Sequence, residues 1–196
     1  MGKIFEHTKN YIDNIHGIVL EIGSDRYEGS TEYFYNLAKT HAVDFHTVDI
    51  DSTPSSRLAH LQDINWHVKP GSKWCEVDLP LLDVQVGCVY LDNFDYNWDI
   101  NTAAPWTEEQ RLFYKKQLDI EMTNTASQIE HLKQCLALFP YLSEDAVIVC
   151  DDTYTYNDCW IGKCGAVVVY LLSQGFDIVY EQRLGDGVGV ILKRGQ

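Results

Sequence analysis

Positive charge is scarce in this chain: 15 Lys and Arg stand against 29 Asp and Glu, giving a formal net charge of −14. A surface of that sign repels phosphate backbones and anionic lipid, so neither nucleic acid nor membrane is an expected partner. No run of Lys or Arg offers a local exception. Long hydrophobic runs are missing as well. No segment reaches the length of a membrane span, and residues 1 to 7 (MGKIFEH) lack the apolar stretch of a secretory signal. Six cysteines, at positions 75, 88, 135, 150, 159 and 164, do not form zinc-type pairs: Cys159 and Cys164 have the wrong spacing and no second pair. Without a secretory signal, all six are expected to be reduced thiols in a cytoplasmic protein. Hydrophobic content of 45% and charged content of 22% suit a globular protein, and 196 residues suffice for one domain with a sizeable core.

What is present is concentrated between Gly17 and Asp51. Ile18-Val19-Leu20 is a short apolar run closed by Glu21 and Gly23. A polar turn leads to Gly29, and Ser30-Thr31 supply cap chemistry for a helix carrying Tyr33, Phe34, Leu37 and Ala38 at helical spacing. A second apolar segment, Val43 to Val48, ends in Asp49. This order predicts a βαβ unit with a nucleotide site at its mouth. Gly23 lets a ligand approach the backbone, and the Asp49 carboxylate suits a ribose cis-diol. The turn is not G-x-G-x-x-G, and its acids Asp25 and Glu28 would repel a pyrophosphate. A cationic, phosphate-free nucleoside such as S-adenosylmethionine fits the turn better than a dinucleotide.

LEIGSDRYEGST followed by HTVDID resembles the first two motifs of class I S-adenosylmethionine-dependent methyltransferases. The resemblance implies an α/β, Rossmann-like methyltransferase fold: a mostly parallel seven-stranded sheet with a C-terminal antiparallel hairpin and helices on both faces. It also implies a cofactor site. Glu21 would orient the methionine amino end, Gly23 and Ser24 would admit backbone contact, Gly29 and Ser30 would open the helix, Asp49 with Ile50 would hold the ribose, and Gly71 with Ser72 would lie beside the adenine.

Other elements follow in order. Lys3 to Ile15 reads as an N-terminal helix, Ile64 to Val68 as a strand, and Val84 to Leu91 as a central strand buried on both faces. Residues 93 to about 126 read as an insertion that would form a lid or a homodimer contact. Its capping box at Thr107 to Gln110 opens one helix, and a second box at Ser127 to Glu130 opens another with Ile129, Leu132, Leu136 and Phe139 as its apolar stripe. Ala146 to Cys150 reads as a strand, Thr153 to Asp158 as a loop, Trp160 to Gln174 as a helix, and Phe176 to Tyr180 with Val188 to Leu192 as a hairpin.

Two of these strands end in acids: Asp92 on one, Asp151 and Asp152 on the other. If the strands are neighbours, three carboxylates converge and should be protonated or share a cation, and oxygen-only ligation suits Mg2+, Mn2+ or Ca2+. The same acids also serve as ordinary loop formers and caps. The pattern is similar to cation-dependent O-methyltransferases of the catechol and sugar types, which implies metal-assisted methylation of a small-molecule hydroxyl. Where the catechol type has a lysine as base this chain has Asp95; Asp95 or a histidine such as His131 would take the proton, although His131 reads as an exposed helix residue. Asp92 to Tyr96 lacks the two prolines of amino-methylating enzymes. The competing readings are a metal-independent methyltransferase and a non-catalytic binding subunit of the same fold.

Overall fold

The computed structural model describes residues 3–25, 27–93, 105–183 and 187–195, the side chains of residues 105–107 and 118 excepted. The chain opens with a 3-10 turn, Ile4–Asn10, and continues through β1 (Ile18–Ile22), α1 (Ser30–His41), β2 (Phe45–Asp49), α2 (Thr53–Arg57), β3 (Ile64–Val68), α3 (Gly71–Val77), α4 (Leu79–Leu82) and β4 (Val86–Leu91). Helices α5 (Pro105–Leu118) and α6 (Asn124–Leu138) precede β5 (Leu142–Asp151). The short strands β6 (Thr153–Tyr156) and β7 (Cys159–Gly162), α7 (Gly165–Ser173), β8 (Phe176–Gln182) and β9 (Gly189–Arg194) complete it.

Seven strands form one sheet in the order β3-β2-β1-β4-β5-β9-β8. The first five are parallel, and β9 is antiparallel to both its neighbours. The order reverses between β1 and β4, which places a crevice beyond the carboxyl ends of the central strands. Both strands that end in acids, β4 and β5, are paired neighbours, with Leu91 beside Cys150.

Alternation along the strands builds two cores. Ile18, Leu20 and Ile22 of β1 join Ala146, Ile148 and Cys150 of β5 beneath α3, α6 and α7. Val19, Val147 and Val149 face the other way, onto Phe34, Leu37 and Ala38 of α1 and onto Ile4 and Phe5. Each central strand is therefore buried on both sides, the environment that apolar runs without alternation require. At about 0.8 kcal/mol per buried CH2, burial of these faces is the main term holding the sheet.

Three sequence expectations are corrected. The N-terminal helix is a 3-10 turn that ends at Asn10; no side chain caps its start, and Asn10, Asp13 and Asn14 disfavour helix interiors. Lys3, just ahead of it, reaches the crevice. Helix α6 starts at Asn124, not at the Ser127 box, because the Thr123 hydroxyl accepts from the Ala126 N–H at 3.1 Å. Its expected stripe is turned outward in part, Ile129 and Leu136 being exposed, and its buried face carries Ser127, His131 and Gln134 together with Cys135 and Leu138. The loop and helix expected across residues 153–174 are the β6–β7 hairpin followed by a shorter α7. Asn157 and Asp158, both at positive φ, make its two-residue turn.

All six cysteines are free, and five of them are buried. Among the described residues no helix is long and apolar enough to cross a membrane.

Candidate active site

The crevice holds two adjoining cavities. The larger, about 440 Å³, is lined mainly by charged and polar groups, among them Ser24, Glu28, Asp92, Asp151, Asp152 and Lys163. The smaller, about 280 Å³, is lined by Ile50, Pro70, Gly71, Ser72, Tyr114 and Ile120 with Glu130 and Lys133 at its rim. Asp49 and Asn93 belong to both.

The turn after β1 is held from behind by a buried carboxyl. Ser30 Oγ, Thr31 Oγ1 and Thr47 Oγ1 all donate to Glu21, at 2.7, 2.6 and 2.7 Å. Burial, opposed by these three hydroxyl bonds, raises its pKa to about 8. Glu21 is fully buried and does not line either cavity, so it ties α1 and β2 to the turn rather than meeting a ligand. Gly23 also has another role than expected. At φ +99° a Cβ would lie 2.3 Å from the Asp92 carbonyl oxygen, so the missing side chain admits the end of β4, not a ligand. Gly29, at φ +91°, precedes the first residue of α1 and likewise lines neither cavity.

Six of the nine expected cofactor residues do line the crevice: Ser24, Ser30 and Asp49 in the larger cavity, and Asp49, Ile50, Gly71 and Ser72 in the smaller. Asp49 accepts the Ser24 N–H at 2.9 Å through Oδ2 and the Asp51 N–H at 2.8 Å through Oδ1, which fixes its carboxylate at the junction of the cavities. Asp25 is turned back on its own loop: it accepts the Tyr27 and Glu28 N–H groups and pairs with Arg57 at 3.3 Å. Both turn acids line the larger cavity, Asp25 with its charge compensated by Arg57 and Glu28 with Lys3 at 3.7 Å. Tyr114 of α5 roofs the smaller cavity, packing with Ile50 and Met122 and donating to the Asn93 carbonyl at 2.7 Å.

At the ends of β4 and β5, Asp92, Asp151 and Asp152 line the same cavity, and a lysine stands among them. Lys163 Nζ contacts Asp92 Oδ1 and lies 2.9 Å from Asp152 Oδ2, with its side chain 5% exposed. The Tyr90 hydroxyl donates to Asp151 Oδ2 at 2.6 Å and approaches Asp92 Oδ2 at 3.1 Å. Asp151 Oδ1 accepts the Asp152 N–H at 2.9 Å. Three of the four oxygens of Asp92 and Asp151 thus accept from a donor, and Asp92 Oδ2 shares the Tyr90 hydroxyl with Asp151. Burial first, and then the charges of Asp92 and Asp152, push Asp151 well above the usual carboxylate range. A divalent ion on the expected triad would have to displace the ammonium, so the donor set as arranged does not fit it. Glu28, Asp92 and Asp151 do offer three oxygens within 4.8 Å of one another, with Glu28 exposed.

Lys163 was not singled out by the sequence. The signal that points to it is the Asn157-Asp158 turn, which makes residues 153–162 a hairpin and sets Lys163 against the acids. Gly162 completes the approach: at φ +90° its Cβ would lie 1.9 Å from the Asp152 carbonyl, and the Lys163 N–H donates to that same oxygen at 3.0 Å. His131 is fully buried, not exposed; its Nδ1 donates to the Ser127 carbonyl at 2.8 Å, and burial lowers its pKa to about 4. Asp95, the expected proton acceptor, lies outside the described residues, as do Tyr96, Trp98 and the Trp106 side chain.

No protein-family model matches the chain, and no curated protein matches it in sequence. Solved structures do match in fold. The Lactobacillus delbrueckii subsp. bulgaricus ribosomal protein L11 methylase is 12% identical at a TM-score of 0.54, over 98% of this chain and 77% of that one. A Streptococcus thermophilus rRNA methylase is 9% identical at 0.56, over 98% and 94%. The Burkholderia thailandensis 1,6-didemethyltoxoflavin-N1-methyltransferase, solved with bound 1,6-didemethyltoxoflavin and S-adenosylhomocysteine, is 12% identical at 0.53, over 97% and 75%. With the strand order and the crevice at its reversal, these likenesses establish that the chain has the Rossmann-like methyltransferase fold.

Proposed function

We propose that the protein is an S-adenosylmethionine-dependent methyltransferase acting on the hydroxyl of a small molecule. One observation carries the reading: Asp49 is pinned by two backbone N–H groups where a largely apolar cavity meets a charged one. S-adenosylmethionine suits that junction, with its adenine in the smaller cavity beside Ile50 and Tyr114, its ribose on Asp49, and its sulfonium in the acidic cavity beyond. A cationic sulfur is favoured there by carboxylates that would repel a pyrophosphate. Solved neighbours of the same fold hold S-adenosylhomocysteine, which agrees with this cofactor class.

The acceptor hydroxyl enters from the β4–β5 side. Its oxygen attacks the methyl carbon, the C–S electron pair returns to sulfur to leave the neutral thioether, and the hydroxyl proton passes to a carboxylate of the cleft wall. In-line alignment of the two partners supplies most of the rate. The net charge of −14 argues against a phosphate-backbone acceptor, although an rRNA methylase is among the proteins of similar fold. Titration calorimetry with S-adenosylmethionine and, separately, NAD tests the reading. Saturable binding of the first alone is expected; binding of NAD alone, or of neither, would overturn it.

A further inference from the structure

We infer that Lys163 is the resident cation of this cleft: its ammonium fills the position that a divalent metal would take among the strand-end acids, and it serves the acceptor oxygen in that metal's place. The inference about position rests on geometry alone, whereas the role toward an acceptor rests on the proposed methyl transfer.

The geometry has three parts. Lys163 contacts Asp92 from β4 and Asp152 from the end of β5, so one ammonium bridges the two strands whose acids would otherwise repel. Its backbone is anchored to the Asp152 carbonyl at 3.0 Å, next to Gly162, where no side chain fits. The remaining acid, Asp151, is satisfied by the Tyr90 hydroxyl and the Asp152 N–H rather than left open to an ion. A cation held by two carboxylates and shielded from water is compensated in place, and a second, divalent cation beside it would meet direct repulsion.

The chemistry follows from the position. Lys163 lines the same cavity as Ser24 and Asp49, so an acceptor there comes within reach of its ammonium. As the hydroxyl oxygen loses its proton and gains the methyl group, a fixed positive charge with movable N–H donors stabilises the developing oxyanion. Lys163 would then be a catalytic residue supplied by the β6–β7 hairpin.

Mn2+ is the probe, followed by electron paramagnetic resonance on the full chain, so that the readout does not depend on turnover. The wild-type protein should show no saturable Mn2+ binding in the micromolar range. Lys163→Met should bind Mn2+ at least about tenfold more tightly, because a competing charge has been removed. Asp92→Asn in that background should abolish the gain, and Lys163→Arg, which keeps the charge, should bind no better than wild type. Should Lys163→Met fail to fold, Lys163→Gln makes the same test with a polar neutral side chain. Micromolar Mn2+ binding by the wild type, abolished by Glu28→Gln or Asp92→Asn, would overturn the inference, as would neutral variants that fold and gain no Mn2+ affinity. Loss of S-adenosylmethionine binding would sink the methyltransferase reading while the Mn2+ result still stood.

Discussion

The two halves of the crevice are built by opposite means. The β1–β2 half is fixed by hydroxyl and backbone donors: an enclosed carboxyl satisfied by three hydroxyls, and an aspartate pinned by two amides. The β4–β5 half depends on charge, with Lys163 set between Asp92 and Asp152. The first half comes from one contiguous stretch, residues 21 to 51. The second draws on residues 90 to 163, brought together by the sheet. A cradle fixed by hydrogen bonds suits a constant ligand, and an ion-paired pocket suits a changing charge.

Four measurements would break or sharpen that contrast. The largest effect is expected at Lys163→Met, which leaves two carboxylates of a partly buried pair uncompensated; breaking such a pair costs about 3–5 kcal/mol, read as a drop in unfolding free energy in urea. Salt should relieve little of it, because the groups are shielded. Next comes the pH response of Glu21. Its folded pKa, about 8, lies above the ordinary value of 4.5, so the folded state holds the proton more tightly. Its contribution is fully present below about pH 4.5 and is lost as pH rises through about 8; each pKa unit is worth about 1.4 kcal/mol, giving a loss of a few kcal/mol. Glu21→Gln should flatten that decline in a urea series at several pH values, and an unchanged slope would show that the carboxyl is not the source. Third, Asp49→Ala should weaken S-adenosylmethionine by about thirtyfold, or about 2 kcal/mol, by calorimetry, since it removes a charged acceptor. Last, Asp152→Asn should lower turnover by more than it lowers cofactor affinity, read by kinetics beside calorimetry, because it alters the ion-paired half and leaves Asp49 in place.

How much of this was legible in the sequence follows the same division. The βαβ unit could be read because its strand, cap and acid follow one another within a span short enough for local patterns to be unambiguous. The convergence of Asp92 with Asp151 and Asp152 was legible from the density of apolar residues in two parallel strands. Lys163 was not, because Trp160-Ile161 runs into the Val- and Leu-rich segment of α7 and four-residue strands give too little alternation to break a helical reading. The register of α6 failed for a different reason. Its buried face mixes Ser127, His131 and Gln134 with Cys135 and Leu138, so an apolar stripe alone did not mark the buried side. At Glu21 and Gly23 the sequence marks the turn as special without saying that a buried hydroxyl network and the end of β4 pack against it.

Lys3 lines the larger cavity, while β9 runs away from it, from Gly189 beside Asp151 to Arg194 beside Phe176 at the far edge of the sheet. A partner fused through Lys3 is therefore attached beside the larger cavity, whereas one fused through Gly195 is attached on the opposite side. Immobilising the protein by that far end leaves the entrance clear, and a bulky fusion at the near end would act as a stopper.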